Sequence, residues 1–250
     1  MQAVRFTAVG ELLVDVVADG SGHDARIRLR PAGSAFNAAT AAAAAGAETA
    51  VVGTVGDDPA GRMILAELAE LGVRPEVTVA EGSTGTFLLD DGEIRVDRGV
   101  GHDVVLPDRL TADAVLVSGY LPRETIESAL GRARAGWVAL DAARLEHLPP
   151  GGNAVIANEG AARRLTGLAP EDAVRALGEG RRLACVTLGA RGAVATAGER
   201  VEHTEPERTA ADAPGAGDAF AGALLVALAR GNDLAEALAE ASRAALDSLA

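Results

Sequence analysis

The chain contains no lysine. All 23 of its basic residues are arginine. A Walker-type phosphate loop, a Schiff-base lysine and a pyridoxal-phosphate lysine are therefore excluded. Cys185 is the single cysteine, which rules out a disulfide framework and a thiolate metal cage. Aromatic residues make up 2% of the chain, leaving few rings to stack a base. No apolar run approaches a bilayer span, the alanine tract 38–47 being too short and too weakly apolar. The first residues lack a charged segment followed by an apolar core, so no export signal is read and a cytoplasmic protein is expected. The formal net charge of −13 argues against a nucleic-acid or anionic-membrane surface.

What is present fits one globular domain. The 250 residues are 48% hydrophobic and 24% charged. From residue 112 onward, short apolar runs alternate with helical patterns: Ala114–Ser118, Trp137–Asp141, Ala154–Asn158 and Leu183–Thr187 read as strands. This spacing predicts an α/β fold with a mostly parallel sheet. Ligands in such sheets collect at the carboxyl ends of strands. Asp141, Asn158, Thr187 and Gly189 all fall there.

Asp212-Ala-Pro-Gly-Ala-Gly-Asp218 carries the densest chemistry. Gly215, Ala216 and Gly217 turn the backbone at the start of an apolar helix that Gly231 stops, which is where unpaired amides can hold an anion. A carboxylate beside that site would repel a resting anion, so Asp218 reads as a proton acceptor next to a phosphate in transit. Upstream, Ala32-Gly-Ser-Ala-Phe-Asn37 opens an alanine-rich helix, with Asn37 one turn past Gly33. Arg26, Arg28 and Arg30 alternate with Ile27 and Leu29. That pattern places the arginines on one face of a strand, either solvated or facing an anion. Residues 77–105 read as short strands with tight turns, including a hairpin at 90–93.

The Asp212–Asp218 segment resembles the C-terminal signature of the ribokinase-like (PfkB-type) carbohydrate kinases, and the Gly33–Asn37 segment resembles their N-terminal one. The Gly10–Asp15 wording is similar to the fructokinase-like and ketodeoxygluconate-kinase-like branches. The resemblance covers essentially the whole chain. It implies a ribokinase-like three-layer α/β sandwich in a single domain, with lid segments near 12–30 and 77–105. It also implies an ATP-dependent kinase acting on a hydroxyl of a sugar or sugar acid, with Asp218 as base and the Gly215, Ala216 and Gly217 amides as anion hole. Asp15, Gly33, Asn37 and Arg98 would bind the acceptor; Asn158, Thr187, Gly189 and Gly192 would bind ATP. Mg2+ is the implied cofactor, its ligands unassigned, and a monovalent cation is left open. Pairing of two copies through the lid is a further implication.

Two departures stand out. Where the family carries an Asn-x-x-Glu tetrad, the fourth position here is Ala161. Where an Asn is common after Asp141, Ala143 stands. A catalytically weak sugar- or nucleotide-binding protein therefore stays open beside the kinase, as does a nucleoside kinase of the same fold, for which Phe36, Phe87, Tyr120 and Trp137 are the rings to watch.

Overall fold

The computed structural model describes residues 3–20, 22–90, 93–205 and 214–248. The chain opens with β1 (Arg5–Val9), β2 (Leu13–Asp19) and β3 (Arg26–Ala32). Next come α1 (Ser34–Ala44), β4 (Glu48–Gly56), α2 (Pro59–Glu70), β5 (Arg74–Ala80), β6 (Thr84–Asp90) and β7 (Glu93–Gly99). The middle comprises β8 (Leu110–Thr111), β9 (Ala114–Ser118), α3 (Arg123–Arg132), β10 (Ala133–Arg134), β11 (Trp137–Asp141) and β12 (Ala154–Asn158). It ends with α4 (Glu159–Thr166), α5 (Pro170–Gly178), β13 (Leu183–Thr187), β14 (Ala193–Ala197), β15 (Arg200–Thr204), α6 (Ala216–Arg230) and α7 (Leu234–Asp247).

A nine-stranded sheet runs β15-β14-β13-β12-β11-β9-β1-β4-β5. Its pairs are parallel from β5 to β13; β14 and β15 add an antiparallel edge. The strands that pack on both faces are runs of Val, Ile, Leu and Ala, as burial between two helical layers demands. Helices α1, α2, α6 and α7 pack in one apolar cluster with β1 and β4. Helix α3 packs in a second, and α4 and α5 in a third. The chain runs outward from β1 to β4 and β5, then returns to β9 on the other side of β1 and continues outward to β13. The β1/β9 junction is thus the point where strand order reverses, and a crevice opens there in folds of this kind.

Local signals set the helix ends. The Asp58 carboxylate accepts from Gly61 N at 2.7 Å and Pro59 fills the first position of α2. Asp233 and Glu236 form a reciprocal capping box on α7. Asp58 also accepts from the Thr84 hydroxyl at 2.7 Å and the Thr84 amide at 2.8 Å, tying α2 to the root of β6.

The small sheet runs β3-β2-β6-β7. Its boundaries differ from the sequence expectation in one respect. Arg74–Ala80, expected partly in the lid, pairs parallel with β4 and forms an edge of the large sheet instead, so the second segment of the small sheet begins at Thr84. The residues between the expected 90–93 hairpin strands lie outside the described ones, but β6 and β7 do pair antiparallel. Ile27 and Leu29 are 60% and 54% exposed on β3. No helix among the described residues is long and apolar enough to cross a membrane.

Candidate active site

Helix α6 begins at Gly215, whose φ of 90° is a left-handed conformation that a side chain disfavours. The first intrahelical bond is Ala219 N to Gly215 O at 3.0 Å. The amides of Ala216, Gly217 and Asp218 precede it and have no acceptor within the helix. They face a cavity of about 440 Å3 lined by Tyr120, Asp141, Asn158, Thr187, Gly189 and Asp218, among others. Gly192 lines it too, so all four residues that the resemblance assigns to ATP share one cavity with the Gly215–Asp218 turn. The carboxyl ends of β11, β12 and β13 deliver Asp141, Asn158 and Thr187 side by side.

A second cavity, of about 960 Å3, lies between β3 and helices α1, α6 and α7. Asp15, Arg30, Asn37 and Gly215 stand along its wall. Gly215 belongs to both cavities. Across this shared wall Asn37 Nδ2 donates to Asp218 Oδ2 at 3.2 Å. Gly33 caps α1 at a φ of 107°, and a Cβ there would lie 2.3 Å from the Glu11 carbonyl oxygen. Its lack of a side chain lets the chain after β1 pass directly over the start of α1. Asp212, which opens the signature, lies outside the described residues.

Charge in this region is unbalanced. Burial, then the neighbouring charge of Asp141, pushes the Asp218 carboxyl well above its ordinary range; the Asn37 bond pulls the other way. Burial pushes Asp141 up to about 6, although its carboxylate accepts from Ala143 N at 3.1 Å. Burial also raises Asp15, while the charge of Arg30 opposes the shift. Arg30 pairs with Asp15 in the β2–β3 register, so the arginine row shares the face of the small sheet that carries Asp15.

Arg98 does not line either cavity. Its guanidinium pairs with the carboxylate of Glu11, a residue only 5% exposed, and His102 Nε2 stands 3.1 Å from the same oxygen. The ion pair spans 87 residues, and no local sequence pattern signals it. The departures also find their places. Ala161 is fully buried on the inner face of α4, and Asn158 uses its side-chain oxygen to cap that helix, accepting from Ala161 N at 2.8 Å. Glu159 pairs with Arg191.

Tyr120 stands at the strand-reversal point. Its amide donates to Ser118 Oγ at 3.2 Å, and the same oxygen accepts from the Ser34 hydroxyl at 2.7 Å, linking the end of β9 to the start of α1. The Arg98 and Arg144 guanidiniums lie 5.9 and 6.0 Å from its ring centroid. Burial and the charges of Asp141 and Asp218 push the phenol up to about 12, so it stays protonated.

The pfkB family carbohydrate kinase model matches residues 5–246. The chain is 32% identical to the ribokinase of Bacillus subtilis over 252 residues, covering 86% of this chain and 80% of that protein. Among solved structures, it resembles an Arabidopsis thaliana ribokinase complexed with ribose and ATP (TM-score 0.81, 23% identity, 98% of this chain and 92% of that one). It also resembles the adenosine kinase of Sinorhizobium meliloti (TM-score 0.80, 20% identity, 98% and 93%). A family model that spans nearly the whole chain and a relative 32% identical over most of it agree: this chain belongs to the pfkB family of carbohydrate kinases.

Proposed function

We propose that the protein transfers the γ-phosphoryl group of ATP to a hydroxyl of a sugar or sugar acid, with Asp218 as the general base. The observation that carries this reading is the position of Asp218. It lines the cavity assigned to the nucleotide, bonds to a residue of the cavity assigned to the acceptor, and sits at the head of α6 beside free amides. A carboxyl raised by burial is a better proton acceptor than an exposed one, while the Asn37 amide keeps one of its oxygens oriented. The acceptor is held by Asp15 and Asn37, with Gly33 permitting close approach of the backbone. As the acceptor oxygen attacks, its proton passes to Asp218 and the Gly215–Gly217 turn stabilises charge on the equatorial phosphoryl oxygens.

Among the described residues no group of three or more His, Cys, Asp or Glu side chains could cage a metal. The donor set nevertheless fits Mg2+, which is usually held by one or two carboxylates together with substrate phosphates and water. Asp141 is the residue that would hold it, since only one of its oxygens accepts a protein hydrogen bond among the described residues. Bound there, the ion would offset triphosphate charge.

The test is ADP release with Mg-ATP over a panel of sugars, sugar acids, sugar phosphates and nucleosides, with Asp218→Asn run in parallel. A rate that depends on the acceptor and falls at least about 10²-fold in the variant supports the reading. Turnover near wild type in Asp218→Asn removes Asp218 from the role, and no acceptor-dependent rate removes the kinase.

A further inference from the structure

The mechanism above leaves one buried carboxylate unused. Glu11 is 5% exposed and stands in the link from β1 to β2, where the chain leaves the large sheet for the small one. The chain crosses between the two sheets at four places: before β2, after β3, before β6 and after β7. From the first crossing, Glu11 reaches two of the others. Its carbonyl accepts from Ala35 N at 3.3 Å, just past the end of β3. Its carboxylate pairs with Arg98, next to the end of β7. The remaining crossing is joined to this last one by Val100 N, which donates to Ser83 O at 3.0 Å.

His102 Nε2 stands 3.1 Å from the same carboxylate oxygen but without the alignment of a hydrogen bond, so among the described residues Arg98 is the charge that compensates Glu11. The Arg98 guanidinium also lies 5.9 Å from the centroid of the Tyr120 ring, at the strand-reversal point of the large sheet. The backbone beside Glu11 is wedged in place: a Cβ on Gly10 would lie 2.7 Å from Ser118 Cβ and 2.9 Å from Ser34 Oγ. A buried ion pair adds little stability over an apolar contact of the same volume, yet costs much when one partner is lost. Asp15 follows Glu11 by four residues, about 13 Å of extended chain, so a tilt of about 5° at the root moves its carboxylate by about 1 Å.

We propose that Glu11 and Arg98 are positioning residues that act as one unit: their ion pair fixes the stance of the small sheet on the large one, and with it the placing of Asp15 and Arg30 in the cavity assigned to the acceptor. Neither residue touches the acceptor or the phosphoryl group. This rests on the kinase reading above. An error of about 1 Å in the seat of a reactant is enough to cost on the order of 10²-fold in rate. Charge serves the same end. Burial first, then Asp141, push the Asp218 carboxyl up, and Glu11 adds to that push. An unpaired Glu11 would oppose both the ionised base and an incoming phosphate, and the guanidinium removes that conflict.

The experiment compares wild type, Glu11→Gln, Arg98→Gln, the double variant and Glu11→Asp, with turnover normalised to folded protein by thermal melts. Glu11→Gln is expected to lose about 10- to 100-fold in kcat/KM for the acceptor, while the KM for ATP and calorimetric binding of its β,γ-imido analogue stay within about twofold. Arg98→Gln should lose more, because it leaves a buried carboxylate unpaired. The double variant should recover at least about threefold over Arg98→Gln, since neither charge is then stranded. Glu11→Asp keeps both charges, folds where Arg98→Gln does not, and should still raise the acceptor KM because the contact is one methylene short. Acceptor kinetics within about twofold of wild type in Glu11→Gln, or equal weakening of acceptor and nucleotide, would overturn the assignment. A double variant no better than Arg98→Gln would mean that Arg98 acts on the acceptor directly, which overturns it too. Should wild type turn over no acceptor, the kinase reading fails by itself and amide hydrogen exchange decides the pin. In Glu11→Gln, β2, β3, β6 and β7 should exchange at least about fivefold faster with β9, β11, β12 and β13 unchanged, and equal exchange in the small sheet refutes it.

Discussion

Asn37 and Asp218 lie 181 residues apart and share one hydrogen bond, 3.2 Å long, across the wall between the two cavities. The amide supports the ionised form of the carboxyl, opposing burial and the charge of Asp141. A residue on the wall of the larger cavity therefore favours release of the Asp218 proton on the wall of the smaller one.

Asn37→Leu removes that support, so the Asp218 carboxyl rises further. Since the base must be ionised to act, the acid limb of the kcat/KM profile is expected to move to higher pH. Losing one hydrogen bond to the acceptor should also raise its KM about 3- to 10-fold. A profile superimposable on wild type would show that the bond does not tune the base.

Asp141→Asn acts in the opposite direction. Removing the neighbouring charge lets Asp218 ionise more easily, so the acid limb moves to lower pH whatever happens to the maximal rate. Stability responds as well. Asp141 in the folded protein keeps its proton up to about 6, whereas in the unfolded chain it releases it near the ordinary aspartate value of 3.8. The native state therefore binds more protons in that window, and its stability falls as pH rises through it. Asp141→Asn should abolish this slope, with a Tm gain of about 1–3 °C at pH 7 that vanishes below pH 4. Melts at several pH values read this directly.

Gly215→Ala forces a Cβ into a left-handed conformation, costing about 1–2 kcal/mol. It also places that carbon 2.6 Å from Asn37 Nδ2, the donor to the base. A drop in kcat of about tenfold beyond any loss of folded protein is expected, measured as turnover normalised to the folded fraction.

Gly222→Ala tests packing alone. Its added Cβ would lie 2.3 Å from the Ala38 carbonyl oxygen, so α1 and α6 must separate. Overpacking of this kind costs about 1–3 kcal/mol, and a Tm lower by roughly 5 °C is expected. An unchanged Tm would mean the two helices part without penalty.

Periodic patterns and glycine turns made the main sheet legible, because each strand of the β9–β13 half carries its own apolar signal and each helix its own start. The Gly215–Asp218 turn was visible for the same reason: its chemistry is contiguous. What escaped was tertiary. Strand β5 reads as one of a series of short strands, and only its pairing with β4 assigns it to the large sheet. Tyr120 registered as a scarce ring; its place between two guanidiniums depends on residues from 98 to 144 converging at the strand reversal. Arg98 was expected at the acceptor, and its partner Glu11 became evident only when the root of the lid was in view.

The close seat of Gly222 on Ala38 has a consequence for biosynthesis. Helix α1 leaves the ribosome early, and its buried alanines 38, 39 and 42 belong to the cluster that α6 and α7 complete. Until residues near 230 have been made, that face has no cover. The N-terminal half, although it supplies Asp15 and Asn37, must wait most of the translation time with apolar surface open, in the period when association between nascent chains is most favoured. Helix α6, which carries Asp218, also closes the core of the first half, so a chain that has not folded to completion cannot bring Asn37 and Asp218 together.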